Sequence, residues 1–517
     1  MSFKALNKKD LTLLTSRRSQ SALEYMMTYG WAILIIVIVA VILYSMGIFN
    51  PSSSVTFTSS GFSPFTVSSS LCNNIGYKIA VLAGPIPNNA NSLTINKVYL
   101  TSATGANTTT ASYTLTNPVT LKSGQSTTII IPNVACNSAN IHYSLSAKIQ
   151  YSYDVPTIGL QTVNTTGTVA GTSITGKPST LTTYEPITIT NTQSSATPSP
   201  FQQMINFTSS DPGFSSIATG NFGQNVEFFY YNGTIIPSWL ENYTSTNAIW
   251  WLKIAAIPAG SSETVYVGFV PASANLFNTV NDGEAPQLSS TYAEYDDGAN
   301  VFLLYFNGDT PLSDFNTPNT LSQASVTGPL GNTIKVINIT GSASNYGFVY
   351  IGKSILNQPI IAESSSQQNG LGVGGLGADN GQVSILGSTS SINLNAISVD
   401  IGGGGTYFLN DYFLDGVQTR VNAVGSANAD WHYALVAYPG SSATNWSGYI
   451  SPQFYSASGG YSGSVSNNPL SSSTSLYIGL IGAVNADDTW QTYINWMCAR
   501  AYPPNGIMPS VSFGSVA

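Results

Sequence analysis

Charged side chains make up only 7% of this 517-residue chain, histidine occurs twice and cysteine three times. Each scarcity excludes something. Fifteen Lys and Arg against twenty-three Asp and Glu leave a net charge of −8, which disfavours a nucleic acid as partner. His142 and His432 cannot supply the paired histidines of an H-E-x-x-H zinc site, and Cys72, Cys136 and Cys498 have no C-x-x-C spacing. A Ser-His-Asp triad would have to use His432, which the alternating run Trp431 to Tyr438 places on a strand surface. The glycine-rich run Gly370 to Gly377 contains G-x-G-x-x-G, but no βαβ pattern surrounds it and it reads as a loop. No cofactor is expected.

What the chain does have is one long uncharged run. Tyr25 to Phe49 is long enough, at about 1.5 Å per residue, to cross a hydrocarbon core of about 30 Å as a helix. Lys4, Lys8, Lys9, Arg17 and Arg18 precede it, and no basic residue follows before Lys78. This bias predicts a single pass with the N-terminus cytoplasmic and Pro51 to Ala517 outside. A carboxylate at the start of the run, Glu24, is costly in a membrane unless it is partnered. Cleavage between Ser19 and Gln20 would place a new ammonium four residues from Glu24.

These residues resemble the class III signal peptide of archaeal type IV pilin-like proteins, Q-x-S-x-E followed by an apolar helix. Gln20 and Glu24 match; Ala22 stands where the family has Ser and Thr28 where it usually has Leu. The resemblance covers about 16–49. It implies a cleavable leader at 1–19, a helix over 20–50 that packs against other pilin-like subunits or copies of itself in the membrane, and a location at the cell surface, either as a tether or assembled in a filament. Without the leader the chain keeps ten basic and twenty-two acidic side chains.

The hydrophobic fraction of 43% is ample for packed cores, and the length suits two to four domains. In an oxidising exterior Cys72 is expected to pair with Cys136, leaving Cys498 as a buried thiol.

Beyond Pro51 the periodicity is that of strands separated by Gly, Pro and Asn. The fold expected is mainly β: one N-terminal transmembrane helix, then an Ig-like β-sandwich at 52–178, a second β-sandwich at 183–281 and a C-terminal jelly roll at 286–517. The clearest strand is His142 to Tyr151, in which Tyr143, Leu145, Ala147, Ile149 and Tyr151 alternate with polar residues. One buried and one wet face follow, with His142 on the wet one.

From Pro186 through the Asn232-Gly233 turn to Phe269, the strand order resembles a β-sandwich family of unknown function found in large prokaryotic surface proteins. The Asp415-Gly416 turn between two strands, followed by Asp430-Trp431-His432-Tyr433, resembles concanavalin A-like lectin and glucanase sandwiches. Glucanases of that fold carry E-x-D-x-x-E, two carboxylates on one strand face. Here the nearest match is Glu294-Tyr295-Asp296-Asp297-Gly298-Ala299, with Ala299 in place of the second Glu. No enzymatic activity is expected, and the Asp pair reads as a turn.

The lectin likeness directs attention to aromatic and acidic residues near turns. Trp431, Trp446 and Trp490 are candidates for stacking on sugar, Asp411 and Asp415 for hydrogen bonding, and Asp487 and Asp488 for a Ca²⁺ ion. A core position is the competing reading for each tryptophan. Asn107, Asn164, Asn206, Asn232, Asn242, Asn338 and Asn445 stand in N-glycosylation sequons, a number expected by chance in a chain so rich in Asn, Ser and Thr. Two functions fit: a pilin-like structural and adhesion subunit with a large β head that binds glycans, or a membrane-tethered carbohydrate-binding protein that does not polymerise. In both the partners are the membrane and surface polysaccharide.

Overall fold

The structure is a computed structural model. It describes 57–517 apart from 88–89, 109–111, 132–133, 137–138, 157, 219–222, 275–296, 317–319, 343–346, 369–379, 389–392, 403–406, 425–429, 452–459 and 483–488; before residue 57 it describes only Ile33 and Ile35. The expected leader and membrane segment, with Ser19, Gln20 and Glu24, therefore lie outside the described residues. Among the described residues no helix is long and apolar enough to cross a membrane. The chain divides into two compact units, 1–176 and 177–517.

The first unit is a sandwich. One sheet runs in the order Thr58–Gly61, Gly159–Thr172, His142–Val155, Leu93–Thr104, Ser112–Leu121; the other is Phe65–Cys72, Tyr77–Ala83, Ser126–Ile131. Period-two patterning builds it. In His142–Val155 the residues Tyr143, Leu145, Ala147 and Ile149 are buried, while His142 is exposed. They meet Tyr77, Ile79 and Val81 of the facing sheet in one core. Cys72 and Cys136 are joined in a disulfide, with Cα atoms 5.6 Å apart.

The second unit contains two sandwiches. In the smaller, a four-stranded sheet (Val226–Tyr230, Ser261–Phe269, Thr183–Asn191, Ser510–Phe513) faces a three-stranded one (Phe201–Thr208, Asn247–Ile254, Ser238–Tyr243). Its core is aromatic, with Phe207 against Trp250 at 5.7 Å and against Phe513 at 4.7 Å. The C-terminal strand is a correction to the expected boundaries. Residues assigned to the end of a 286–517 jelly roll instead pair with Ile187 to Thr190, because Val511 and Phe513 offer the apolar side chains that cover the smaller core.

The larger sandwich packs two eight-stranded sheets face to face. The first runs Thr320–Thr327, Thr333–Ser342, Thr489–Ala501, Ile360–Gln368, Trp431–Tyr438, Trp446–Ile450, Tyr461–Val465, with Leu304–Asn307 also on Thr489–Ala501. The second runs Phe315–Asn316, Gly347–Ile351, Ser475–Gly482, Asn380–Leu386, Ala396–Gly402, Tyr407–Leu414, Val417–Val424, with Ile355–Leu356 also on Ser475–Gly482. Aliphatic side chains of both fill the space between, among them Ile337, Ile494, Val436, Ile397 and Ile478. Asp415 and Gly416, at φ +48° and +79°, form the tight turn that joins Tyr407–Leu414 to Val417–Val424. Asp297 is buried and precedes the helical turn Gly298–Val301; Glu294 and Asp296 lie outside the described residues.

His432 overturns its expectation. It shares a face with Ala434, Val436 and Tyr438, so it points into the core; it is fully buried, with Nδ1 2.7 Å from the Ser451 carbonyl oxygen and its ring edge-on to Phe408. The alternation was right in period but inverted in which face is wet.

Candidate functional site

The outward face of the first sheet of the larger sandwich collects the side chains of interest, and strand register places them in transverse rows. Trp431 lies opposite Gln367, Gln367 opposite Tyr493, Tyr493 opposite Asn338, and Asn338 opposite Ser322. Two residues along each strand come Tyr433 and Ser365, beside Asn495 and Trp496, and then Leu435, Glu363, Cys498 and Tyr305.

This face is curled. Three strands separate Trp431–Tyr438 from Thr320–Thr327, which in a flat sheet would hold them about 19 Å apart. Yet the Trp431 indole Nε1 donates to the Thr327 carbonyl at 3.0 Å. The sheet therefore bends until its edge hairpin meets Trp431, and Ile334 and Val336 of that hairpin pack on the indole, with Tyr493 alongside. Beside this contact the outward face carries neutral polar groups. Gln491 donates to Asn338 Oδ1 at 2.8 Å, and Asn338 Nδ2 donates to Ser322 Oγ at 3.0 Å. Gln367, Gln491, Tyr493 and Asn338 are half-buried on this face.

The other end of the same face is sealed by the smaller sandwich. Arg500 donates to Glu363 Oε1 from Nε at 2.9 Å and from Nη2 at 2.7 Å, and both side chains are buried. The guanidinium lies 4.6 Å from the Trp251 ring centroid, a cation-π contact across the seam. Trp251 Nε1 donates to Glu241 Oε2. Burial, then the Glu363 charge, push the Glu241 carboxyl up to about 8, against the pull of the indole and of Arg500. Burial thus favours the neutral carboxyl of Glu241 beside the Arg500–Glu363 ion pair. Trp239 closes it, edge-on to Trp496 at 4.9 Å and to Phe302 at 5.1 Å. Gln202 ties backbone to backbone, donating to Val301 O at 3.0 Å and accepting from Ala501 N at 2.8 Å. The free Cys498 is buried there, and burial with the Glu363 charge raises its thiol well above the ordinary range.

The sequence-derived candidates scatter. Trp431 is only 7% exposed and acts as the clasp of the curl, while Trp446, 2% exposed, is part of the inter-sheet core. Neither offers a ring face to a sugar, because both are covered by the packing that shapes the sandwich. Trp490 sits on Thr489–Ala501, but its side chain, like Asp487 and Asp488, lies outside what is described. Asp411 is buried and accepts from Gln418 Nε2; Asp415 is an exposed turn residue. Among the described residues no group of three or more His, Cys, Asp or Glu could hold a metal. Of the sequon asparagines, Asn164, Asn206, Asn232 and Asn445 are exposed, Asn338 is half-buried on the outward face, Asn242 is buried, and the side chain of Asn107 is outside the description.

Sequence reasoning missed Gln367, Gln491 and Tyr493, and named Asn338 only as a glycosylation sequon. It also missed the seam, although Glu363 and Arg500 are the only charged side chains in their strands.

A family described as a domain of unknown function, DUF2341, matches residues 222–300. That match covers the second half of the smaller sandwich and the Gly298–Val301 turn. A curated relative, "Uncharacterized protein 562" of Sulfolobus islandicus rod-shaped virus 1, is 50% identical over 331 residues, 63% of this chain. The aligned part spans 58% of that relative's length. Among solved structures, a lectin of Bauhinia forficata in complex with GalNAc is 12% identical, covering 38% of this chain and 98% of that one at a TM-score of 0.27. A carbohydrate-binding module of Bacillus subtilis is 12% identical, covering 36% and 96% at 0.24. Similarities of this size carry no argument, and the β-sandwich description rests on the strand pairing above.

Proposed function

We propose that this protein is a non-catalytic carbohydrate-binding protein whose larger sandwich takes a neutral glycan on the outward face beside Trp431, over the row Gln367, Tyr493 and Asn338. The observation that carries the reading is the lining itself: Gln367, Gln491, Asn338 and Ser322 on a curled face. Amide and hydroxyl groups both donate and accept, as sugar hydroxyls do, and the Tyr493 ring supplies an apolar wall. The ionised groups of this face, Glu363 and Arg500, neutralise each other under the seam, which disfavours anionic ligands. Glu241 and Glu363 are likewise sealed by Trp239 and Trp251, which supports binding over hydrolysis.

In this reading 20–50 tether the sandwiches outside a cell membrane. Assembly into a filament through the same segment is a second reading, and rests on the match of Gln20 and Glu24 to the pilin-like pattern. A glycan array probed with the full chain and with Gln367→Ala tests the main reading. Glycan binding lost in the variant supports it, and the absence of binding to any glycan by the folded protein defeats it.

A further inference from the structure

The Gly159–Thr172 strand is covered on its outer edge over only part of its length. Thr58–Gly61 pairs with Gly167 to Ala170, and Phe62 N donates to Thr166 O at 2.9 Å before the chain departs. From Leu160 to Thr165 no described strand lies on that side. In an antiparallel ladder alternate residues aim both backbone groups to the same side. The Phe62 bond shows that Thr166 faces outward, so Asn164, Thr162 and Leu160 do too, and the ladder with His142–Val155 has no register shift to break this parity.

Natural sheets blunt such edges with charge, proline or a bulge. The opposite edge of the same sheet has an exposed Pro118, and the edge strand Phe65–Cys72 has a register shift between Val67 and Ser69. Leu160-Gln161-Thr162-Val163-Asn164-Thr165-Thr166 has none of the three. Two large aliphatic side chains stand at its start, Ile158 at 71% and Leu160 at 69% exposure. The Thr320–Thr327 edge is also neutral but exposes no large aliphatic side chain.

We propose that this edge is an interface between two copies of the chain, paired antiparallel about a two-fold axis at Thr162. Thr162 then faces Thr162 of the second copy, Leu160 faces Asn164, and the outward N–H and C=O groups of all three residues are satisfied reciprocally. Self-pairing is the favoured occupancy because the segment has no charge of either sign, so identical strands meet without repulsion.

Opposed Cα atoms in a hydrogen-bonded pair lie about 5.5 Å apart, within disulfide reach. The test uses the full chain in a mild detergent. Under mild oxidation Thr162→Cys should give a covalent dimer, whereas Thr168→Cys, on the same face but with its edge covered by Ser60, should not. Thr162→Pro removes only an outward N–H, which an edge strand tolerates. It should lower the dimer association constant about tenfold or more in sedimentation equilibrium, a loss of about 1.4 kcal/mol, with the far-ultraviolet spectrum unchanged. Equal cross-linking of both cysteine variants, or unaltered association of a folded Thr162→Pro, would overturn the proposal, as would a wild-type chain that stays monomeric at about 0.1 mM.

Discussion

Arg500 and Glu363 form a buried ion pair, Nη2 to Oε1 at 2.7 Å, with the guanidinium also lying over the Trp251 ring of the smaller sandwich. One contact orders the larger sandwich and the other fastens the smaller one to it. Removing one member leaves the other charge buried without a counter-ion. Arg500→Met should therefore cost about 3–5 kcal/mol, measured by denaturant unfolding, while the double variant Arg500→Met, Glu363→Leu should recover most of the loss. If the single variant were as stable as wild type, the pair would have no role in the seam.

Glu241 gives the seam a pH dependence. Its folded carboxyl titrates at about 8 rather than at the ordinary 4.5, so between those values the unfolded chain is ionised while the folded one keeps its proton. The contribution is therefore full below about 4.5, declines as pH rises, and is exhausted above about 8. Glu185, fully buried and pushed to about 7 by burial and then by Asp211, acts in the same direction over a narrower window. Thermal melts of wild type and Glu241→Gln from pH 5 to 8.5 should show a shallower decline in the variant. Parallel curves would contradict the assignment.

The C-terminal strand holds the smaller sandwich closed. Phe513 packs on Phe207 at 4.7 Å while its strand pairs with Thr183–Asn191. Phe513→Ala should destabilise the second unit by about 1–3 kcal/mol and expose 510–517 to carboxypeptidase. Unchanged protease resistance would mean that the strand is dispensable.

Processing of the N-terminus distinguishes a filament subunit from a plain tether. The pilin-like pattern predicts that mature protein from its own cells begins at Gln20, observable by mass spectrometry of the N-terminal peptide. An intact Met1 on surface-exposed protein would remove that reading and leave the sandwiches unaffected.

Period-two alternation made the β character legible, most clearly in His142–Val155, because a strand between core and solvent writes its two faces into sequence. The same signal misled at His432, since Tyr433 and Leu435, not the polar His432, stand on the less buried face of that strand. The polar row was not legible because Gln367, Asn338 and Tyr493 come from three strands whose adjacency is a matter of topology. Tryptophans drew attention instead, and Trp431 and Trp446 proved to be packing residues. A usable signal existed for the seam: in a chain with 7% charge, Glu363 and Arg500 in the middle of apolar and neutral strands require partners.

The most direct test of the account is calorimetric titration of the full chain with the best neutral oligosaccharide from a glycan array, comparing wild type with Tyr493→Ala and Gln367→Ala. Wild-type affinity should be weak, with Kd on the order of 1 mM. Loss of the Tyr493 ring should weaken it about twofold to tenfold, as expected for about 0.5–1.5 kcal/mol of ring contact, and loss of the Gln367 amide by a similar factor. Undiminished binding in both folded variants would place the glycan elsewhere and contradict the assignment of this face.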